Sequence, residues 1–217
     1  MVSLKELQDY CAGKEIIIVG NSSRILNNNY GKLIDNYDIV VRINRGYLHR
    51  QNLYSDKIGN KTHILSLGLK SASFSANVIQ SNTVTYILSP IIYSEALDYS
   101  NVYDVQTETY NTLKNELGGF KPSTGISTYN FFNRFIDFKR LDLIGFDFFE
   151  SSSKRRNQLG HCYVADHHGI KELKFFERSK DPEKSLIHTI SGPNNERINN
   201  TTNSSQSNIS IKKLRKK

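Results

Sequence analysis

The chain has 217 residues, 37% of them apolar, and carries a net charge of +8 with only two cysteines, Cys11 and Cys162. That length fits one ordinary domain plus a tail, and no apolar run approaches the roughly 20 residues a bilayer span needs. Two cysteines exclude a disulfide framework or a cysteine-rich zinc site, and Met1 to Tyr10 lacks an apolar signal region, so a cytoplasmic, reduced chain is expected.

Glu15 to Val19 is a short β-branched run ending at Gly20-Asn21, which reads as a buried first strand entering a tight turn. Tyr37 to Ile43, Thr62 to Leu67 and Thr83 to Ser89 read as further strands, the last stopped by Pro90. Thr107 to Leu117 has apolar residues at helical spacing and ends in Gly118-Gly119, a C-terminal cap. Ser127 to Phe138 is an aromatic helix approached by Pro122-Ser123-Thr124-Gly125. Leu141 to Phe149 is strand-like around Gly145, and Ile170 to Arg178 returns to helical spacing. Strands alternating with helices predict one α/β domain with a mostly parallel sheet, over residues 1–190.

Residues 191–217 form a polar tail. Ser191 to Ser210 is rich in Asn, Ser and Thr and too poor in apolar residues to offset the entropy of ordering, so disorder is expected. Five of the basic residues are Lys212, Lys213, Arg215, Lys216 and Lys217, leaving about +3 (8 − 5) for the rest. Such a run either solubilises the chain or holds it on the anionic inner face of the cytoplasmic membrane, at about 1 kcal/mol per charge. Binding of nucleic acid is not expected, because the body shows no basic helix or base-stacking motif.

In open parallel sheets ligands bind beyond the carboxyl ends of the strands. That rule points at Gly20-Asn21-Ser22, at Asn44 and at Gly145-Phe146-Asp147. A Gly-Asn turn lets amides and short polar side chains reach a nucleotide. It is neither a dinucleotide fingerprint nor a P-loop, since the G-x-G-x-x-G glycines and a following G-K-[ST] are both absent. Ser123, Thr124 and Gly125 lie at a helix N-terminus, where amides and the helix dipole favour an anion, although Ser and Thr are also ordinary caps. Three of the six histidines, His161, His167 and His168, fall within eight positions without the H-E-x-x-H spacing of a zinc site.

From Ile16 the chain reads IIIVGNSSRILNNNYGKLIDNYDIVVRINRG, which resembles the L sialylmotif of animal-type sialyltransferases, glycosyltransferase family 29. PSTGISTYNFFNRFIDFKRLDLIGFDFF, from Pro122, resembles the S motif. His161-Cys162-Tyr163 is similar to motif III, and His167 to Glu172 fits the H-x-x-x-x-E pattern of the VS motif. A second, bacterial sialyltransferase family shares a similar Gly-Asn turn and Ser-Gly helix start. The cysteines that usually join the L and S motifs are missing, which fits a short cytosolic microbial or viral member.

The resemblance implies a single Rossmann-like domain, a GT-A-like sialyltransferase fold that moves sialic acid from CMP-sialic acid to a glycan or glycolipid hydroxyl with inversion. A CMP-sugar donor carries one phosphodiester charge and the chain has no Asp-x-Asp pair, so no cofactor and no metal are expected. Gly20, Asn21, Ser22, Asn44, Ser123, Thr124, Gly125, Gly145, Phe146 and Asp147 would then bind the donor. His167 would be the general base, with His168 open as its alternative, and Glu172 would orient it across one helical turn. His161 would steady the leaving phosphate, and the polar loop Ser151 to Gln158 would be a lid. Two alternatives stand: another CMP-activated keto-sugar acid as donor (Kdo or a different nonulosonate), or a non-catalytic CMP-sugar-binding protein.

Overall fold

The computed structural model describes residues 2–44, 53–68, 84–89, 102–105, 107–149 and 167–188. Expectations for His161 and Cys162, for the loop 151–158 and for the tail from residue 191 fall outside the described residues.

Seven strands are described: β1 (Glu15–Val19), β2 (Ile39–Ile43), β3 (Ile64–Ser66), β4 (Tyr86–Ser89), β5 (Val102–Asp104), β6 (Arg140–Ile144) and β7 (Ser185–Ile187). They form one sheet in the order β5-β4-β3-β2-β1-β6-β7, and every neighbouring pair is parallel. The helices that flank it are α1 (Leu4–Cys11), α2 (Gly31–Asp35), α3 (Ser55–Ile58), α4 (Thr107–Glu116), α5 (Thr124–Phe135) and α6 (Gly169–Ser179), with a 3-10 turn at Ser23–Asn27. The α/β class and the parallel sheet are as expected.

A parallel strand covered on both faces must be apolar throughout, and this explains the unbroken Ile16-Ile17-Ile18-Val19 run. Ile16 and Ile18 join Val41, Leu141 and Leu143 in a core shared with Leu7 of α1, Leu113 of α4, Phe132 of α5 and Phe176 of α6. Ile17 and Val19 face the other way, onto Ile25, Ile34 and Ile58. Each buried isoleucine contributes about 1.5–3 kcal/mol. A one-residue slip would exchange the two sets of side chains, so β1 has one stable register.

Several boundaries differ from the sequence reading for local reasons. Strand β2 begins two residues after Tyr37, because the Asp38 side chain accepts the Glu15 amide at 2.9 Å and Tyr37 turns its hydroxyl to Asp142. Helix α5 starts at Thr124, three residues early, because Ser123 caps it by accepting the Ile126 amide. It stops at Phe135, where Ile136 is already extended. Strand β6 ends at Ile144, since Gly145 takes φ +77°. Helix α1 and the edge strands β5 and β7 were not anticipated.

Strand order fixes where a ligand can sit. From β1 the chain moves outward through β2 to β5, then returns to the other side of β1 for β6 and β7. The topological switch therefore lies between β1 and β6, with β2 adjacent. The turns at Gly20, Asn44 and Gly145 all open from the carboxyl ends of these three neighbouring strands.

Candidate active site

The turns after β1 and β6 are fused. Gly20 donates its amide to Ile144 O at 2.7 Å, Ser22 donates its amide to Gly145 O at 3.0 Å, and the Ser22 hydroxyl lies 2.9 Å from Asp147 Oδ2. A side chain on Gly20 would fall 2.8 Å from the Gly145 carbonyl carbon, and one on Gly125 would fall 2.6 Å from the Phe146 ring. These three glycines thus let protein segments approach each other. Their first duty is to hold the floor of the site together.

Asn21 and Asn44 also serve the frame. Asn21 donates its side-chain amide to Ile43 O at 3.0 Å, tying the β1 turn to the end of β2. Asn44 sits in the left-handed region, φ +52°, which Asn tolerates better than most residues. Its Oδ1 accepts the Gly68 amide at 2.7 Å and its Nδ2 donates to Thr124 Oγ1 at 3.3 Å. One side chain thereby joins the ends of β2 and β3 to the first turn of α5. Gly68 packs so closely on the Thr124 hydroxyl that no side chain fits there, a constraint with no motif to announce it.

Other motif positions are structural. Asp35 accepts the amides of Asn60 and Lys61, at 2.9–3.0 Å and 3.0 Å. Arg42 is 3% exposed and gives its guanidinium to the carbonyls of Ile58, Gly59 and Lys61 and to the Thr62 hydroxyl. Burial pulls its pKa down to about 10, against the opposing pull of Asp35. Both residues pin the segment between α3 and β3.

The segment 120–123, which leads into α5, is gripped by the start of α6 at three points. His168 packs edge-on against Phe120, with ring centres 4.7 Å apart. His167 Nδ1 lies 2.7 Å from Lys121 O, and its ring stacks nearly parallel (4°) on Phe149 at 5.5 Å. Glu172 accepts both the amide and the hydroxyl of Ser123, each at 2.8 Å. Burial drives the Glu172 carboxyl up to about 7, against the opposing effect of the Ser123 hydrogen bonds.

This differs from expectation in one respect. His167 lies ahead of α6, and its orienting partner is the Lys121 carbonyl, while both Glu172 oxygens are engaged by Ser123. A carbonyl only accepts, so Nδ1 carries a proton, and in the neutral tautomer with that proton the lone pair lies on Nε2. The Ser123 amide is likewise committed to Glu172. Thr124 and Gly125, whose amides lie in the first helical turn and lack an intrahelical acceptor, are then the donors left for an anion. Phe148 and Phe149 both take positive φ, +47° and +69°, and the backbone of Gly169 is pressed against Phe148 O. The loop that carries Phe149 is held to α6 in this way.

Among the described residues, no group of three or more His, Cys, Asp or Glu side chains could hold a metal ion, and no helix is long and apolar enough to cross a membrane.

The fold is thus an α/β parallel sheet whose switch point carries a Gly-Asn turn, with the α5 N-terminus and His167 fastened to one segment beside it. Residues 8–114 match the model of glycosyltransferase family 29 (sialyltransferase), so that stretch of the chain is similar to that family. Beta-1,6-galactosyltransferase GALT29A of Arabidopsis thaliana is 45% identical over 47 residues, 22% of this chain and 11% of that protein. The chain thus spans about a tenth of that relative. A mammalian sialyltransferase solved in complex with Gal-beta-1-3GalNAc-ortho-nitrophenol superimposes with a TM-score of 0.52 at 19% identity, covering 82% of this chain and 69% of the other. A second mammalian sialyltransferase structure gives 0.53 at 18% identity, over 81% and 69%. The sialyltransferase fold is shared.

Proposed function

We propose that the chain is an inverting glycosyltransferase that takes a sugar from a CMP-activated donor, in the first place CMP-sialic acid, and places it on a glycan hydroxyl. The observation that carries this reading is His167: its Nδ1 is committed to Lys121 O beside the α5 N-terminus, which leaves Nε2 as an acceptor. In the proposed step the acceptor oxygen bonds to the anomeric carbon while the bond from that carbon to the donor phosphate breaks. CMP leaves with the electron pair, and the hydroxyl proton passes to His167 Nε2.

In this reading the leaving phosphate gains charge against the first-turn amides of α5, and hydrogen bonds that strengthen there lower the barrier. The single phosphate charge of a CMP donor needs no metal for this. Asn21, Ser22 and Asn44 support the nucleotide floor, with Phe146 as a wall.

A second reading keeps the fold and base but takes a galactosyl nucleotide, and it rests on the 45% identity with the plant galactosyltransferase. Incubation with CMP-sialic acid or UDP-galactose and a galactoside acceptor, followed by assay of free CMP or UDP and of product mass, tests both. CMP release with a sialylated product supports the first reading. UDP release with a galactosylated product supports the second, and neither nucleotide overturns both.

A further inference from the structure

Ser123 has a hydroxyl with one proton to give and two lone pairs to offer. One lone pair takes the Ile126 amide at 3.3 Å, and the proton points to Glu172 Oε2 at 2.8 Å. The hydroxyl therefore has nothing left to donate to a ligand. The carboxylate that holds it is 3% exposed, and its other oxygen takes the Ser123 amide. In its ionised form Glu172 thus sets a buried negative charge behind the helix end that would receive the donor phosphate. Among the neighbouring titratable or charged groups, His167 is turned to Lys121 O, His168 packs on Phe120, and Lys171 Nζ lies towards Gly118. Ser123 is the recorded hydrogen-bond partner of the carboxylate on the facing element.

We propose that Glu172 and Ser123 form a proton-operated switch: a proton gained by Glu172 reverses their hydrogen bond and frees the Ser123 hydroxyl for the donor phosphate. No hydrogen bond is lost in the exchange. The carboxylic acid O–H donates to Ser123 Oγ, the second oxygen keeps the Ser123 amide, the Ile126 amide keeps its lone pair, and the serine proton turns to the ligand. An arriving phosphate also raises the proton affinity of a carboxylate nearby, so binding and proton uptake favour each other. The carboxyl is poised for this, since burial brings it up to about 7. Glu172 is then a positioning residue of the donor half of the site. This inference rests on the nucleotide reading given above.

The test is calorimetric titration of the full chain with the methyl phosphodiester of CMP, a probe with no titrating group near neutrality. Buffers of different ionisation enthalpy count the protons exchanged. The wild type should take up a fraction of a proton per ligand at about pH 8, and its affinity should fall about tenfold from pH 6 to pH 8.5. Glu172→Gln mimics the protonated state, because its amide donates where the acid would. It should bind as tightly as the wild type does at low pH, with no proton uptake and no pH slope. Binding by the wild type with no proton uptake overturns the switch even if the variant does not fold, and leaves the nucleotide reading intact. So does a Glu172→Gln variant with the wild-type slope. Failure of both CMP and its methyl ester to bind overturns the nucleotide reading itself.

Discussion

His167 Nδ1 lies 2.7 Å from the carbonyl oxygen of Lys121, two residues ahead of the serine that caps α5. The side chain proposed to take the acceptor proton and the helix end proposed to take the donor phosphate are therefore fastened to one short segment. His168, the neighbouring histidine, is turned to the Phe120 ring.

Replacing these two histidines should separate them. With donor saturating, His167→Ala is expected to lower kcat by about 100- to 10,000-fold, the usual contribution of a positioned base, while donor KM changes little. His168→Ala should lower it less than tenfold. A steady-state comparison of the two variants is the measurement, and the reverse ranking would move the base to His168.

Arg42 should matter to stability more than to chemistry. Its guanidinium serves three carbonyls and one hydroxyl in a buried setting, so Arg42→Met leaves those acceptors unpaired. A loss of about 3 kcal/mol is expected in urea denaturation. Arg42→Lys should recover only part of it, because an ammonium cannot reproduce the planar fork.

Gly20→Ala forces a methyl group to 2.8 Å from the Gly145 carbonyl carbon, against backbone that cannot step aside. The expected cost is about 2–3 kcal/mol, read as a lowered melting temperature. Gly145→Ala should cost at least as much, since φ +77° adds strain to a similar clash with Gly20 O.

Stability should respond to pH in two opposite windows. Glu172 is raised from 4.5 to about 7, chiefly by burial, so its contribution is complete below pH 4.5 and is lost as pH rises through about 7. The loss is on the order of 3 kcal/mol, and Glu172→Gln should flatten it. Asp142 behaves the other way. Burial alone would raise its carboxyl, but hydrogen bonds from His188, Tyr37 and Arg140, with the Arg140 charge, hold it below its usual 3.8. Its stabilisation is present above pH 3.8 and is lost as pH falls further, a loss that Asp142→Asn should remove. Thermal unfolding followed across pH checks both signs.

Much of this frame could be read from the chain because the signals are local. The Ile16 to Val19 run could only be a doubly covered strand, and Gly20, Asn44 and Gly145 sit where backbone geometry limits the choice of residue. The capping box of α1, Ser3 with Glu6, is a signal of the same local kind. Strands β5 and β7, three residues each, are too short for any period to show. The Ser123–Glu172 pair spans 49 positions and carries no spacing signal, so nothing in the sequence says that the Glu172 carboxylate holds Ser123 and not His167. Arg42 was visible as a motif letter, but nothing in the sequence said that its partners lie 16 to 20 residues onward.

The most direct test of a CMP-dependent site is a thermal-shift titration of the purified chain with CMP, without added metal, against UMP, GMP and NAD. Selective stabilisation by CMP is the expected result, and at 100 times the dissociation constant it should reach about 2.7 kcal/mol. No response to CMP, or a larger one to UMP or NAD, would contradict the proposed donor and the mechanism built on it.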